Sequence, residues 1–446
     1  MKDNNSRRSF IKKTTLATAG ISIASNSISA ASYRRIIGAN DRLNVAFIGL
    51  GRRVGAYFGS LKDEKKVRLA YLCDVKESQI AKTYDRLKSV ISYQPKSAED
   101  LMVVFGDKDV DAVFNATPDH WHAPGSWIAM EQGKHVYVEK PCSHNPWEGE
   151  LLVHYAKKYG KVIQMGNQQR SSGHTIEIIK EIHNGIIGDA YKAVAYYNNS
   201  RGESPIPVKQ IPPSDLNWEL FQGPAPREDY RHDTWDYNWH WYGWKWGTAE
   251  TGNNATHELD IARWALQQEF PNKVTTESDK RHYKNDGWEM YDTMYATFDF
   301  DDGKVINWDG KSRNGYNTYF GGRGTVIYGT QGTVVIDREH YKVFDRSGKK
   351  IKERQSGNSE GGVALGGGGD MSTNHVLNFF EAIRGNAVLN SPIEEGAKST
   401  LLCHLANISS RLNKSLELDS SNGHIFDRDG MKLWRREYAP GFEPKI

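Results

Sequence analysis

The chain has 446 residues, 58 Lys and Arg against 55 Asp and Glu, 42 Gly, 13 Trp and three Cys. This length buries a large core without staples, and Cys73, Cys142 and Cys403 lie too far apart for a disulfide framework or a cysteine-based zinc site, so no metal is expected. The balanced, interspersed charge argues against a nucleic-acid or membrane-surface partner, and the sequence has no apolar run of about 18 residues to insert into a bilayer.

Residues 1–31 read as an address. Ser6-Arg7-Arg8-Ser9-Phe10-Ile11-Lys12-Lys13 is a charged segment, Thr14 to Ile28 is small and apolar, and Ser29-Ala30-Ala31 has the small side chains of a cleavage site. The adjacent arginines followed by Phe10 resemble a twin-arginine export signal. The expectation is a periplasmic or otherwise exported protein that folds, with any cofactor, before export.

From Leu43 the pattern is strand, helix, strand. Leu43–Ile48, Val67–Cys73, Asp111–Thr117, His135–Val138 and Val162–Met165 are short apolar runs, suited to strands covered on both faces. A helix starts at the cap Asn145, with Pro146 at its first position, and stops at Gly160. The fold class predicted is α/β, with a doubly wound parallel sheet over residues 40–165. After about residue 166, Tyr191–Asn199, Thr293–Phe300, Lys304–Trp308, Thr325–Tyr328 and Thr333–Asp337 read as half-buried strands. Helices are expected at Thr175–Asn184, Asn374–Arg384 and Glu394–Leu412. Residues 166–446 are therefore predicted as an α+β domain with an open, mainly antiparallel sheet, in which the seven glycines of 357–369 form a mobile loop.

Gly49-Leu50-Gly51-Arg52-Arg53-Val54-Gly55 follows the first strand and is expected to open a helix. The first glycine permits a tight turn, the second lets backbone approach a pyrophosphate, and the helix start holds the anion. Asp74 ends the second strand, where a carboxylate accepts both hydroxyls of an adenosine ribose and repels a 2′-phosphate, favouring NAD over NADP. The third glycine of the usual fingerprint is replaced by Val54, so the helix start is expected to differ. Thr117-Pro118-Asp119-His120-Trp121-His122 and Glu139-Lys140-Pro141 follow two further strands, at the ends that face a ligand crevice. A lysine there can hydrogen-bond a substrate hydroxyl and take its proton.

Together these residues resemble the Gfo/Idh/MocA family of NAD(P)-dependent sugar and inositol oxidoreductases. The likeness continues through Gly166-Asn167-Gln168-Gln169-Arg170, through Gly252-Asn253-Asn254-Ala255-Thr256-His257-Glu258-Leu259-Asp260 and into the helix 394–412. The resemblance implies an N-terminal Rossmann domain and a C-terminal domain whose sheet covers the substrate. It implies a dinucleotide contacted by Gly49, Gly51, Arg52, Arg53, Asp74, Thr117, Pro118, His120, Trp121, His122, Glu139, Lys140, Asn167 and Gln168. Lys140 and His257 are expected to flank the reacting carbon and handle the proton during hydride transfer. Sugar dehydrogenases of the family carry an Asp four residues before that His; here the place is Asn253, which can orient a substrate but cannot accept a proton.

The segment Trp235–Trp246 holds five Trp among polar residues. Aromatic faces stack on sugar rings while His and Asn bond hydroxyls, and core packing is the other use of such residues. The substrate set expected is Arg170, His240, Trp241, Tyr242, Asn253, Asn254 and His257. The function expected is oxidation of a secondary alcohol of a sugar or glycoside with tightly bound NAD. The alternatives are a redox-neutral NAD-dependent glycoside hydrolase, as in the family's α-N-acetylgalactosaminidase branch, and a non-catalytic sugar-binding module. A homo-oligomer, dimer or tetramer, is expected from the open sheet.

Overall fold

The computed structural model describes residues 42–232, 237–319, 321–355 and 371–445. The signal-like segment 1–31, Trp235 and the glycine-rich stretch 357–369 lie outside the described residues. Six short apolar runs form β1 (Leu43–Ile48), β2 (Val67–Cys73), β3 (Lys96–Ala98), β4 (Ala112–Asn115), β5 (His135–Val138) and β6 (Ile163–Met165). They pair in parallel in the order β3-β2-β1-β4-β5-β6. Every residue of β4 and β6 is buried, because helices cover both faces. Alternation sorts the side chains. Val45 and Phe47 pack with Phe114, Tyr137 and the late helix Met371–Ile383, while Ala46 and Ile48 pack with Trp127, Leu152 and Tyr155. The helix Pro146–Tyr159 is capped as expected. Asn145 accepts from the N–H of Glu148 at 3.1 Å, and Gly160 closes it at φ +59°. Chain order reverses between β1 and β4, which opens a crevice beyond the carboxyl ends of these strands.

The second sheet is built around the long strand β7 (Ala190–Ser200). It adds β8 (Lys273–Asp279), β9 (Thr293–Asp299), β10 (Val305–Lys311), β11 (Arg313–Asn314), β12 (Arg323–Gly329), β13 (Gly332–Ile336), β14 (His340–Asp345), β15 (Lys350–Gln355) and β16 (Leu416–Glu417). Their order is β15-β14-β13-β12-β7-β10-β9-β8-β16, with β11 on β7. The β7–β10 pair is parallel and the other pairs are antiparallel, the open mixed sheet expected of this half. Ala193 and Ala195 let the helix Thr256–Leu266 approach β7 closely; Leu259, Ile178 and Leu402 then fill the space above Ile306 and Ile327. Each such buried aliphatic side chain contributes about 1.5–3 kcal/mol. The helix Ile393–Leu412 spans both cores, with Ile393 against the first sheet and Leu402 and Leu405 against the second. Among the described residues no helix is long and apolar enough to cross a membrane.

Candidate active site

A cleft of about 1040 Å³ lies between the carboxyl ends of the first sheet and the β7 end of the second. Its floor is the glycine turn. Gly49 has φ +81°, and a Cβ there would sit 2.5 Å from the Ala116 carbonyl oxygen, so the turn requires glycine. Gly51 has open space where its Cβ would stand, which leaves backbone accessible to an approaching phosphate. Asp74 is braced by the N–H of Leu50 at 2.6 Å and of Lys76 at 2.9 Å. Burial pushes its carboxyl up to about 6 although both N–H groups oppose the change. An accessible glycine backbone beside a half-buried carboxylate fits the adenosine diphosphate half of a dinucleotide. One expectation is corrected here. The turn opens a tight 3₁₀ segment, Val54–Leu61, not an α-helix, since Val54 is wholly buried where the fingerprint's third glycine would let a helix pack closely.

Glu139 accepts from Arg53 Nε at 2.7 Å and from the Tyr57 hydroxyl at 2.9 Å. Burial disfavours its charge, but Arg53 outweighs burial and holds the carboxyl below its usual range. Gln168 reaches the same carboxylate at 3.4 Å. Arg53, Glu139 and Gln168 line the cleft, with Glu139 tying the other two in place. Arg52 lies 4.3 Å over the Tyr237 ring. Thr117 and Pro118 line the cleft, and the Thr117 hydroxyl donates to Asn115 at 2.6 Å. His122 shares a hydrogen bond with the Pro141 carbonyl at 2.6 Å, and its Nε2 has no partner among the described residues.

At the other end Lys140 donates from Nζ to the Asn253 carbonyl at 2.6 Å. That carbonyl belongs to a π-helical turn, Thr251–Ala255, a feature that recurs at functional sites. Burial lowers the Lys140 pKa, against the pull of Glu139 and Asp119. Asp119 is itself held by Thr248, through its N–H at 3.1 Å and its hydroxyl at 2.5 Å. His257 is buried and kept neutral, its pKa well below the usual value through burial and then through Arg338, Lys140, Arg323 and Arg53. Lys140 and His257 line the same cleft as the glycine turn.

Sequence comparison agrees with this arrangement. The model of the Gfo/Idh/MocA oxidoreductase family, NAD-binding Rossmann fold, matches residues 43–167, and the model of its C-terminal alpha/beta domain matches residues 222–418. The chain belongs to the Gfo/Idh/MocA family. It is 25% identical over 256 residues to a glycosyl hydrolase family 109 protein of Shewanella baltica, 53% of this chain and 51% of the relative, so the chain spans about half the length of the curated relatives it matches. The aldose–aldose oxidoreductase of Caulobacter crescentus, solved with glycerol, superposes with a TM-score of 0.63 at 20% identity, over 84% of this chain and 100% of that one. The WlbA dehydrogenase of Bordetella pertussis, solved with NADH and UDP-GlcNAcA, gives a TM-score of 0.62 at 17% identity, over 85% and 99%. These likenesses establish the shared fold.

Some residues that the sequence nominated stand elsewhere in this Gfo/Idh/MocA chain. Arg170 is a buried strut, its guanidinium gripping Asp260 at 2.8 and 2.9 Å, and does not line the cleft. Trp241 stacks on Trp288 at 4.3 Å and donates to Glu250, and the Tyr242 hydroxyl donates to Pro205; neither lines the cleft. His120 is fully buried against the Phe221 carbonyl at 2.8 Å, with a pKa lowered to about 3 by burial. Trp121 also donates to that carbonyl, but reaches the cleft. Asn167 lies outside the cleft lining, and its carboxamide has no partner among the described residues. His240, stacked on Trp239, does line the cleft, as do Asn253 and Asn254. It is the Asn253 carbonyl, not its amide, that holds Lys140, and the Asn254 amide binds Glu250. The sequence reading missed Tyr197, Asn199 and Arg201 at the end of β7, and Arg323 and Arg338 on and after neighbouring strands. Alternation along β7 signals Tyr197 and Asn199 as sharing one face; nothing local signals the two arginines.

Proposed function

We propose that the chain oxidises a secondary alcohol of a sugar or glycoside, with Lys140 and His257 handling the proton and NAD held tightly. The observation that carries this reading is that a half-buried lysine of lowered pKa and a neutral buried histidine share one cleft with a dinucleotide-type glycine turn. NAD, when bound, supplies the acceptor for the carbon-bound hydrogen and its electron pair. Lys140, its pKa lowered by burial, takes the hydroxyl proton, while the Asn253 carbonyl fixes the position of Nζ. His257, uncharged, orients the oxygen as it becomes a carbonyl. Gly49, Gly51 and Asp74 place the nucleotide, and His240 with Asn253 and Asn254 borders the sugar. The test is to incubate purified protein with aryl glycosides and no added NAD. One equivalent of NADH absorbance with a keto product supports the reading; protein that releases no nucleotide on denaturation refutes it.

A second reading is favoured by the 25% identity to glycosyl hydrolase family 109 proteins. There the oxidation is transient. The ketone acidifies the neighbouring C–H, a base removes that proton, the glycosidic oxygen departs, water adds and the alcohol is restored. Aglycone release over many turnovers, with deuterium entering from heavy water beside the oxidised carbon, separates this from net oxidation. We further propose twin-arginine export, supported by Arg7 and Arg8, and a homo-oligomer, supported by the open second sheet. Cleavage after Ala31 in the exported protein and light-scattering mass test these two points.

A further inference from the structure

The arginines around His257 are not equivalent. Arg53 pairs with Glu139 at 2.7 Å, Arg323 with Glu258 at 2.8 Å, and Arg201 lies 3.6 Å from Glu250. Arg338 lines the same cleft and makes no hydrogen bond or ion pair among the described residues. Its position is built. It follows β13 in a turn where the Asp337 carboxylate accepts the N–H of Glu339 at 2.7 Å and of His340 at 2.8 Å. The Asp337 carbonyl is bonded to Gln169 at 3.0 Å and to His174 at 3.1 Å, which bolts the turn to the segment 169–174. Of the two acids adjacent in sequence, Asp337 is thus committed to the turn and to the His340 ring at 3.1 Å, while Glu339 is exposed at the cleft edge and forms no ion pair with Arg338. Arg338 is also the charged group that acts most strongly on His257. Burial first, and Arg323 next, depress its pKa to about 9, against the pull of Glu258, which is itself hydrogen-bonded to Arg323. A guanidinium so placed keeps its proton and gains most by receiving an anion, because its planar fork matches an oxyanion with two parallel hydrogen bonds.

We infer that Arg338 receives an anionic substituent, a carboxylate or a sulfate, carried by the sugar whose alcohol lies at Lys140 and His257. This inference rests on the sugar oxidoreductase reading and narrows its substrate to acidic sugars. The oxyanion chemistry is shared by uronates and sulfated sugars, so the probes separate them.

The experiment titrates the nucleotide-loaded full chain, by calorimetry, with D-glucuronate, D-galacturonate, glucose 6-sulfate and galactose 6-sulfate beside neutral D-glucose and D-galactose. At least one acidic probe is expected to bind tenfold or more tightly than its neutral parent. Preference for a uronate or for a sulfate ester identifies the group. Arg338→Gln should weaken that probe about 10- to 100-fold, and Arg338→Lys should retain part of the preference. Nucleotide released on denaturation is measured in parallel and should equal that of the wild type. No acidic probe favoured over its parent, or an unchanged preference in Arg338→Gln, overturns the inference while leaving the oxidoreductase reading intact. Loss of nucleotide from Arg338→Gln assigns the arginine to the cofactor and overturns it too. Wild-type protein without nucleotide sinks the oxidoreductase reading by itself, and the calorimetric preference still decides the role of Arg338.

Discussion

The two ends of the cleft are made differently. The glycine-turn end is built on backbone and the Asp74 carboxylate. Gly49, Gly51 and the N–H groups around Asp74 come from two neighbouring strands and the turns after them. The other end is assembled from side chains that arrive from β7, the π-helical turn, β12 and the turn after β13, spread over more than a hundred residues of sequence. Its charged groups are held by residues distant in sequence, as Arg323 is by Glu258 and Lys140 by the Asn253 carbonyl. A backbone site tolerates side-chain change around it but no change in its glycines. A side-chain site tolerates backbone variation but depends on each charge having its partner.

That contrast can be tested, beginning where the effect is largest. Lys140→Gln should lower kcat about 10²- to 10⁴-fold while the protein still releases its nucleotide on denaturation. Loss of nucleotide instead would move Lys140 to the other end of the cleft. Asp260→Asn should cost about 3–5 kcal/mol of unfolding free energy in denaturant melts, because it strands the buried Arg170. A changed KM at unchanged stability would return Arg170 to the substrate. Gly49→Ala should lose about 1–3 kcal/mol of nucleotide affinity, since a side chain at φ +81° meets the Ala116 carbonyl. The check is the dissociation constant from tryptophan quenching by added NAD.

The smallest effect is in pH. The Asp74 carboxyl of the free site has a pKa raised to about 6, so it is protonated below that pH and loses its capacity to accept both ribose hydroxyls. Nucleotide affinity should therefore be level above pH 7 and about tenfold weaker at pH 5. Asp74→Asn should flatten that dependence; a slope that persists in the variant points to another group. No matching inflection in the rate is expected near 6.5 from His257, which burial and its cationic neighbours keep neutral throughout this range.

The same contrast decides what could be read in advance. The strands of the first sheet, the Asn145 cap, the glycine turn, Asp74 and Lys140 are marked by local pattern: apolar runs, a cap residue, a lysine at a strand end. The second sheet was legible in kind, because strands such as β9 alternate in burial, but its order was not. Pairing β7 in parallel with β10 is a contact that no local pattern encodes. Arg170 and Trp241 look like ligand residues in sequence, since Arg and Trp serve binding sites and cores equally; only Asp260 and Trp288, distant along the chain, reveal their structural use. Arg338 was invisible for the converse reason. It follows a strand in an ordinary turn, and the cleft it enters is built by residues distant along the chain.

The widened turn at Thr251–Ala255 fixes a phase relationship. An α-helix advances about 100° per residue, so removing one residue from this segment would swing the Asn253 carbonyl a quarter-turn or more away from Nζ while His257, further along the same rod, held its bearing. The distance between the amine and the imidazole is thus set by a count of residues, and drift in that count would uncouple the two without altering either.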